Sequence, residues 1–405
     1  MPGSVSSLWR TALTAATAAA FLAVGVLPGA TQAPKKDDAT FQTAAPYAIL
    51  IDADTGTVLF EKNPDKLNPP ASMSKLMTVE VVLHAIKEGR IKVNDEMTVS
   101  EYAWRKGGAP SGGSAMFAAI NSRVKVEDLL RGVMIQSGND ACIALAEGLA
   151  GSEGAFAEMM NKRAKEIGLT QSHFANPTGL HDPEHLMTMR ELAKLAQHVI
   201  KTYPEFYKIY GEREFTWNKV RQQNRNPLLT MGIGADGMKT GFTKEAGYGL
   251  VGSAMQNGLR LIVVVNGFKD MKARADEARK LLEWGFRGFE ARPLFAEGET
   301  VGEAKLYGGA KGRVPLLGTQ AIRLLVPRNA TEKLSAKVVY SGPVRAPVAK
   351  GQPIGTLKVS RGENVVLEVP LHAAEDVGTG NLTQRAFDAV GELVINVFRA
   401  GVDRM

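Results

Sequence analysis

Three short strings in this sequence carry residue types that could do chemistry together. Ser72-Met73-Ser74-Lys75 places a lysine three residues after a serine. Ser137-Gly138-Asn139 ends an apolar run, and Lys239-Thr240-Gly241 immediately precedes a strand-like stretch. A serine hydroxyl is a poor nucleophile at neutral pH and needs a base. On a helix, residues i and i+3 share a side, so the Lys75 amine can approach the Ser72 hydroxyl. Lysine serves as that base only if burial and a neighbouring cation push its pKa down. Lys239 can supply the second charge, and the positive end of the helix carrying Ser72 adds to it. Ser137 can pass a proton between Lys75 and a leaving amine, while Asn139 can fix a substrate amide or the lysine. The amide of Ser72 and the amide just after Gly241 would form an oxyanion hole. The chemistry described is acyl transfer through a serine ester.

Other chemistries find less support. The six histidines include no His-Glu-x-x-His, and Pro183 separates His181 from His185, which reads as a solvated loop, with a metal site as the alternative. No metal or cofactor is expected. Cys142 has no companion cysteine, and in an apolar helical run it reads as a small buried hydrophobe. The Gly-rich stretch 106–114 lacks the terminal Gly-Lys-Ser/Thr of a phosphate loop, and no dinucleotide fingerprint occurs. Net charge is +7, but the basic residues are dispersed without interleaved aromatics, so no nucleic-acid partner is expected. An anionic cell wall or membrane face suits that charge better.

The motifs must be positioned by a substantial fold. A chain of 405 residues with 44% hydrophobic content suggests two domains with ordinary cores. Residues 47–52 and 57–61 read as strand, turn, strand, and Pro69-Pro70 stops the chain before a helix beginning near Ser72. Leu76, Val79, Leu83 and Ile86 give that helix one buried face. Residues 124–200 read as mostly helical. Strand patterns return at 247–254 and 259–265 around the hairpin turn Asn257-Gly258, and a helix follows over 272–286. Antiparallel strands with helices grouped between them predict a mixed α/β (α+β) layer fold, over 45–292. From 293 to 378, short alternating runs such as 322–326 and 337–340, separated by Gly and Pro, predict a small all-β domain.

The two ends have their own character. Arg10, an apolar run over 11–27 and Pro28-Gly29-Ala30-Thr31-Gln32-Ala33 follow the plan of a secretory signal peptide over 1–33, cut after Ala30 or Ala33; an uncleaved anchor is the alternative. Residues 34–44 read as a polar leader. In 382–405, Phe387, Val390, Val394 and Val397 share one helix face, with Arg385, Arg399 and Arg404 available to acidic headgroups. This predicts an amphipathic membrane-contact helix, with a packing helix as the alternative.

The ordered triple is the set used by serine β-lactamases and penicillin-binding proteins. Over 47–376 the chain resembles the low-molecular-mass D-alanyl-D-alanine carboxypeptidases, the type-5 group of penicillin-binding proteins. The matching stretches are Pro70 to Thr78, Gln136 to Cys142 and Asp236 to Thr243, with similar segments at 221–226 and 282–287. The resemblance implies a serine β-lactamase/transpeptidase-like domain in a periplasmic enzyme, peripheral to the inner membrane, that removes the terminal D-alanine from peptidoglycan pentapeptide stems and binds β-lactam antibiotics. Ser72 would form the acyl-enzyme and Lys75 accept its proton, with Ser137 and Asn139 completing the acid/base side. Lys239 and Thr240, ahead of Gly241, would hold the substrate carboxylate. Arg225 corresponds to a family arginine near that carboxylate, a role its paired N–H donors suit, against a plain surface arginine. Where many relatives have histidine after Lys-Thr-Gly, this chain has Phe242. A class A-like β-lactamase would need a glutamate between the second and third motifs, for which the nearest pattern is Glu214 to Asn218. A D,D-endopeptidase would apply the same chemistry to crosslinks, and a non-catalytic wall-binding protein would rely on the β-domain instead of the triple.

Overall fold

Alternating apolar residues on long strands dictate a sheet buried on both faces. In the computed structural model, which describes residues 41–328 and 333–385, that sheet holds β1 (Tyr47–Asp52), β2 (Val58–Lys62), β3 (Ala235–Thr243), β4 (Gly247–Gln256) and β5 (Leu259–Phe268). All neighbours are antiparallel, in the order β2-β1-β5-β4-β3, so β3 is an edge strand. Asn257 and Gly258 both have positive φ, as a two-residue hairpin turn requires, and they pair Gln256 with Leu259. On β5 the period of two divides the side chains between two cores. Ile262 and Val264 join one, while Leu261, Val263 and Val265 join the other.

The first core is covered by α1 (Lys75–Lys87), α2 (Asn139–Ala150), α3 (Glu153–Glu166) and α4 (Met189–Thr202). The second is covered by α5 (Met271–Gly288), which packs Ala278, Leu281, Leu282 and Phe286 onto the sheet and starts at an Asp270 cap. The α/β layering expected from the strand and helix patterns is present. Two irregular turns precede the motifs. A 3₁₀ turn, Ala71–Ser74, leads into α1, and a π turn, Gly132–Gln136, leads into Ser137.

A second compact unit takes in 293–323 and 333–385, while 324–328 counts with the first. Its six-stranded sheet holds Gly302–Tyr307, Arg313–Leu317, Leu334–Tyr340, Val344–Arg345, Pro353–Arg361 and Asn364–Ala373, around buried Leu306, Leu316, Leu357, Val359 and Leu371. The expected all-β character holds. Residues 382–385 are helical, opened by a reciprocal cap in which Asn381 and Gln384 exchange backbone-to-side-chain hydrogen bonds. The signal segment, most of the leader and the rest of the amphipathic tail lie outside the described residues.

Candidate active site

The contact between Ser72 and Lys75 comes from the 3₁₀ turn. With three residues per turn, side chains at i and i+3 eclipse, so Ser72 and Lys75 stack directly. Lys75 Nζ donates to Ser72 Oγ at 2.8 Å and also to the Thr178 carbonyl. The turn is pressed from two sides. A Cβ on Gly241 would lie 2.9 Å from the Pro70 carbonyl and 3.2 Å from Ala71 Cβ. One on Gly179 would lie 2.2 Å from the Ala71 carbonyl. Only glycine lets β3 approach this closely, which sets β3 against the turn that carries Ser72. Ala71 itself sits at φ 49, a strained value for alanine that the packing holds in place.

Burial decides the electrostatics. Lys75 is 0% exposed, and burial pushes its pKa from 10.5 down to about 8, with the Arg225 charge acting the same way and Asp140 opposing. Lys239, at 2% exposure, is driven well below the usual lysine range by burial first, then by Lys75 and Arg225. Two ammonium groups cannot share this site cheaply, and a carboxylate beside Lys239 would favour its charged form. Lys239 Nζ donates to the Thr240 carbonyl at 3.1 Å, and Thr240 is itself buried.

The second motif enters on the π turn, which α1 packs against. Ser137 takes a left-handed φ of 68, and Asn139 is the first residue of α2. Among the described residues, Ser137 Oγ and Asn139 Oδ1 are buried without a hydrogen-bond partner. Arg225 follows the hairpin of Glu214–Trp217 and Val220–Gln223, and its Nη1 donates to Ser114 Oγ at 2.8 Å. Ser114 also accepts, through its carbonyl, the amide of Asn139 at 2.7 Å. The structure thus gathers Ser72, Lys75, Ser137, Asn139, Arg225, Lys239, Thr240 and Gly241 in one unit. Phe242 is half exposed, stacked on Tyr248 with centroids 4.1 Å apart. Glu214 pairs with Arg221 on the exposed hairpin, which is no place for a buried water-activating glutamate.

Several supports were not legible from motifs. The buried Asp140 carboxylate accepts the amides of Met116 and Ala118 and so holds the wall beside Asn139. Glu80 on α1 takes hydrogen bonds from Arg163, His198 and Tyr203. Asn176 closes a tight turn that presents Thr178, and the Asn-Pro pair was its available signal. The solvated-loop reading of the histidines needs correction. His185 is 2% exposed, accepts the Ala175 amide on Nδ1 and meets Phe174 edge-on, so burial pushes its pKa down to about 4. Its companion His181 is at the surface, 3.8 Å from Glu245. Burial likewise lifts the Cys142 thiol to about 12, so it stays neutral. Among the described residues no cluster of His, Cys, Asp or Glu has metal-binding geometry.

This layered sheet with a serine–lysine pair at its edge is the fold of penicillin-binding proteins. The structure is similar to penicillin-binding protein 5 from Haemophilus influenzae, with a TM-score of 0.76 and 39% identity over 84% of this chain and 100% of that one. It is also similar, at 30% identity and a TM-score of 0.53 over 62% of this chain and 100% of the other, to Listeria monocytogenes penicillin-binding protein D2 in its ampicillin-bound form. Residues 30–270 match the family model for D-alanyl-D-alanine carboxypeptidase, and 289–379 match the C-terminal domain of penicillin-binding protein 5. The chain belongs to the D-alanyl-D-alanine carboxypeptidase family of serine peptidases. Among curated relatives, it is 42% identical to the carboxypeptidase DacC of Escherichia coli, over 84% of this chain and 86% of that protein.

Proposed function

We propose that Ser72 is the nucleophile with which this D-alanyl-D-alanine carboxypeptidase removes the terminal D-alanine from peptidoglycan pentapeptide stems. Neutral Lys75 takes the Ser72 proton as Oγ bonds to the penultimate carbonyl carbon, and the carbonyl π pair moves onto oxygen. The amides of Ser72 and Phe242 hold that oxyanion. Collapse breaks the C–N bond, and the leaving amine of D-alanine takes the proton from Lys75 by way of Ser137. Water then hydrolyses the Ser72 ester. Lys239, Thr240 and Arg225 hold the terminal carboxylate, and Asn139 steadies the substrate amide or Lys75.

A β-lactam offers a strained amide and a carboxylate in similar positions, so it acylates the same serine. The observation that carries the reading is the 2.8 Å contact between Ser72 Oγ and a buried Lys75 Nζ. Incubation with a labelled penicillin, followed by intact mass and peptide mapping, should place one drug mass on Ser72. Label elsewhere, or undiminished label in Ser72→Ala, removes the assignment. The N-terminal segment and the Arg-bearing tail support export to the periplasm with peripheral attachment to the inner membrane. Among the described residues, no helix is long and apolar enough to cross a membrane.

A further inference from the structure

A neutral amine has two N–H bonds and one lone pair, and it is a base toward Ser72 only while the lone pair faces the hydroxyl. Rotated otherwise, Lys75 merely donates to Ser72 Oγ. Something must therefore take a Lys75 N–H on the far side, and the Thr178 carbonyl does so. Its direction is set by a four-residue turn. Asn176 Oδ1 accepts from Thr178 N at 3.1 Å, Thr178 Oγ1 at 2.8 Å and Gly179 N at 2.8 Å, while Nδ2 donates to the Leu180 carbonyl at 3.0 Å. Three donors converging on one atom fix the orientation of the amide, since only its oxygen can accept them. The turn is locked to the catalytic helix as well. Thr78 Oγ1, one turn along α1 from Lys75, donates to the Pro177 carbonyl at 2.7 Å, and Gly179 leaves no room for a Cβ against the Ala71 carbonyl.

We infer that Asn176 is a positioning residue for proton transfer, its side chain fixing the Thr178 carbonyl as acceptor for one Lys75 N–H so that the lone pair faces Ser72. This rests on the Ser72/Lys75 assignment above. The step itself moves the Ser72 Oγ proton to Nζ as the Oγ–carbon bond forms, and Asn176 exchanges nothing. The charged or titratable groups facing Lys75 are Lys239 on β3, Arg225 after the 214–223 hairpin, Asp140 and Cys142 on α2, and His185 beyond the turn. All are unaltered in the variants that follow.

The test is acylation of the full chain by benzylpenicillin across pH, separating the dissociation constant of the initial complex from the acylation rate. In Asn176→Ala the rate should fall on the order of 10²-fold, as for a reacting group misplaced by about 1 Å. The acid limb of the profile should move to lower pH, because a carbonyl acceptor favours the ammonium form and its loss disfavours it. The dissociation constant should stay at the wild-type value. Asn176→Asp keeps the acceptor, so it should retain most of the rate, with its limb moved to higher pH by the added carboxylate. Asn161→Ala loosens the same segment upstream, where Asn161 and Phe174 exchange two hydrogen bonds, and should lower stability with the limb unmoved.

Should the alanine variant fail to fold, Asn176→Ser, with a hydroxyl able to serve part of the turn, gives the same readout in milder form. A wild-type limb in Asn176→Ala or Asn176→Ser, a loss confined to the dissociation constant, or an equal limb shift in Asn161→Ala overturns the role of Asn176. Ser72→Ala in parallel reads the underlying assignment. Label surviving there overturns that assignment, whereas label lost there with an unmoved limb in Asn176→Ala overturns only the positioning role.

Discussion

Replacing Lys75 by methionine should abolish acylation yet make the protein more stable at neutral pH. The fully buried ammonium titrates near 8 against 10.5 in an exposed lysine. At about 1.4 kcal/mol per pH unit, the folded state then carries a penalty of about 3 kcal/mol whenever both folded and unfolded lysines are charged, below about pH 8. Methionine fills the same space without the charge, but it leaves the Thr178 carbonyl without this donor, at a cost of about 1–3 kcal/mol. The difference leaves Lys75→Met up to about 2 kcal/mol more stable than wild type at pH 7. Between pH 8 and 10.5 the unfolded lysine binds a proton that the folded one has shed, so wild type gains relative stability as pH rises through this window. Above it the penalty is gone and only the orphaned carbonyl remains. The two stability curves should therefore cross. Urea unfolding of both proteins at pH 7 and pH 10.5 measures this directly, and titrations common to both cancel in the difference. A difference that stays constant across those pH values would mean that Lys75 titrates like a surface lysine, and the base assignment would lose its physical footing.

Three further outcomes are expected. The acylation rate of wild type by benzylpenicillin should rise about tenfold per pH unit below pH 8 and then level, since only neutral Lys75 accepts the Ser72 proton; a flat profile from pH 6 to 8 contradicts this. Lys239→Ala should weaken the initial complex with a carboxylate-bearing β-lactam by about 10–100-fold, the worth of one charge-assisted hydrogen bond, and stopped-flow saturation kinetics would show unchanged affinity if Lys239 plays no such part. Truncation before Thr383 should leave hydrolysis of a soluble D-alanyl-D-alanine peptide unchanged while releasing the protein from anionic vesicles. Equal sedimentation of both forms would make the tail a packing helix.

The local physics of this protein was legible in its residues. Strand alternation, the Asn257-Gly258 turn, the apolar face of α1 and the all-β character after residue 293 each depend on neighbours within a few positions. The motif order named the chemistry for the same reason, since the spacing of Ser72 and Lys75 is a local constraint on any helical turn.

Tertiary structure decided the rest. That Ser72 lies on a 3₁₀ turn, where it stacks on Lys75, follows from the pressure of Gly241 and Gly179, far along the chain, against Ala71. The Lys75 pKa is mainly a burial effect, and no spacing rule reports how much water surrounds a side chain. Asp140 and Asn176 carried no motif signal, because short polar side chains serve turns everywhere, and His185 was read as part of a solvated loop. Arg225 reaches Ser114 across 111 positions, and Lys75 reaches Thr178 across 103. Such contacts form only once the sheet and its helices close around them, because hydrogen bonding and desolvation act through distance in space, which sequence patterns of period two or 3.6 do not encode.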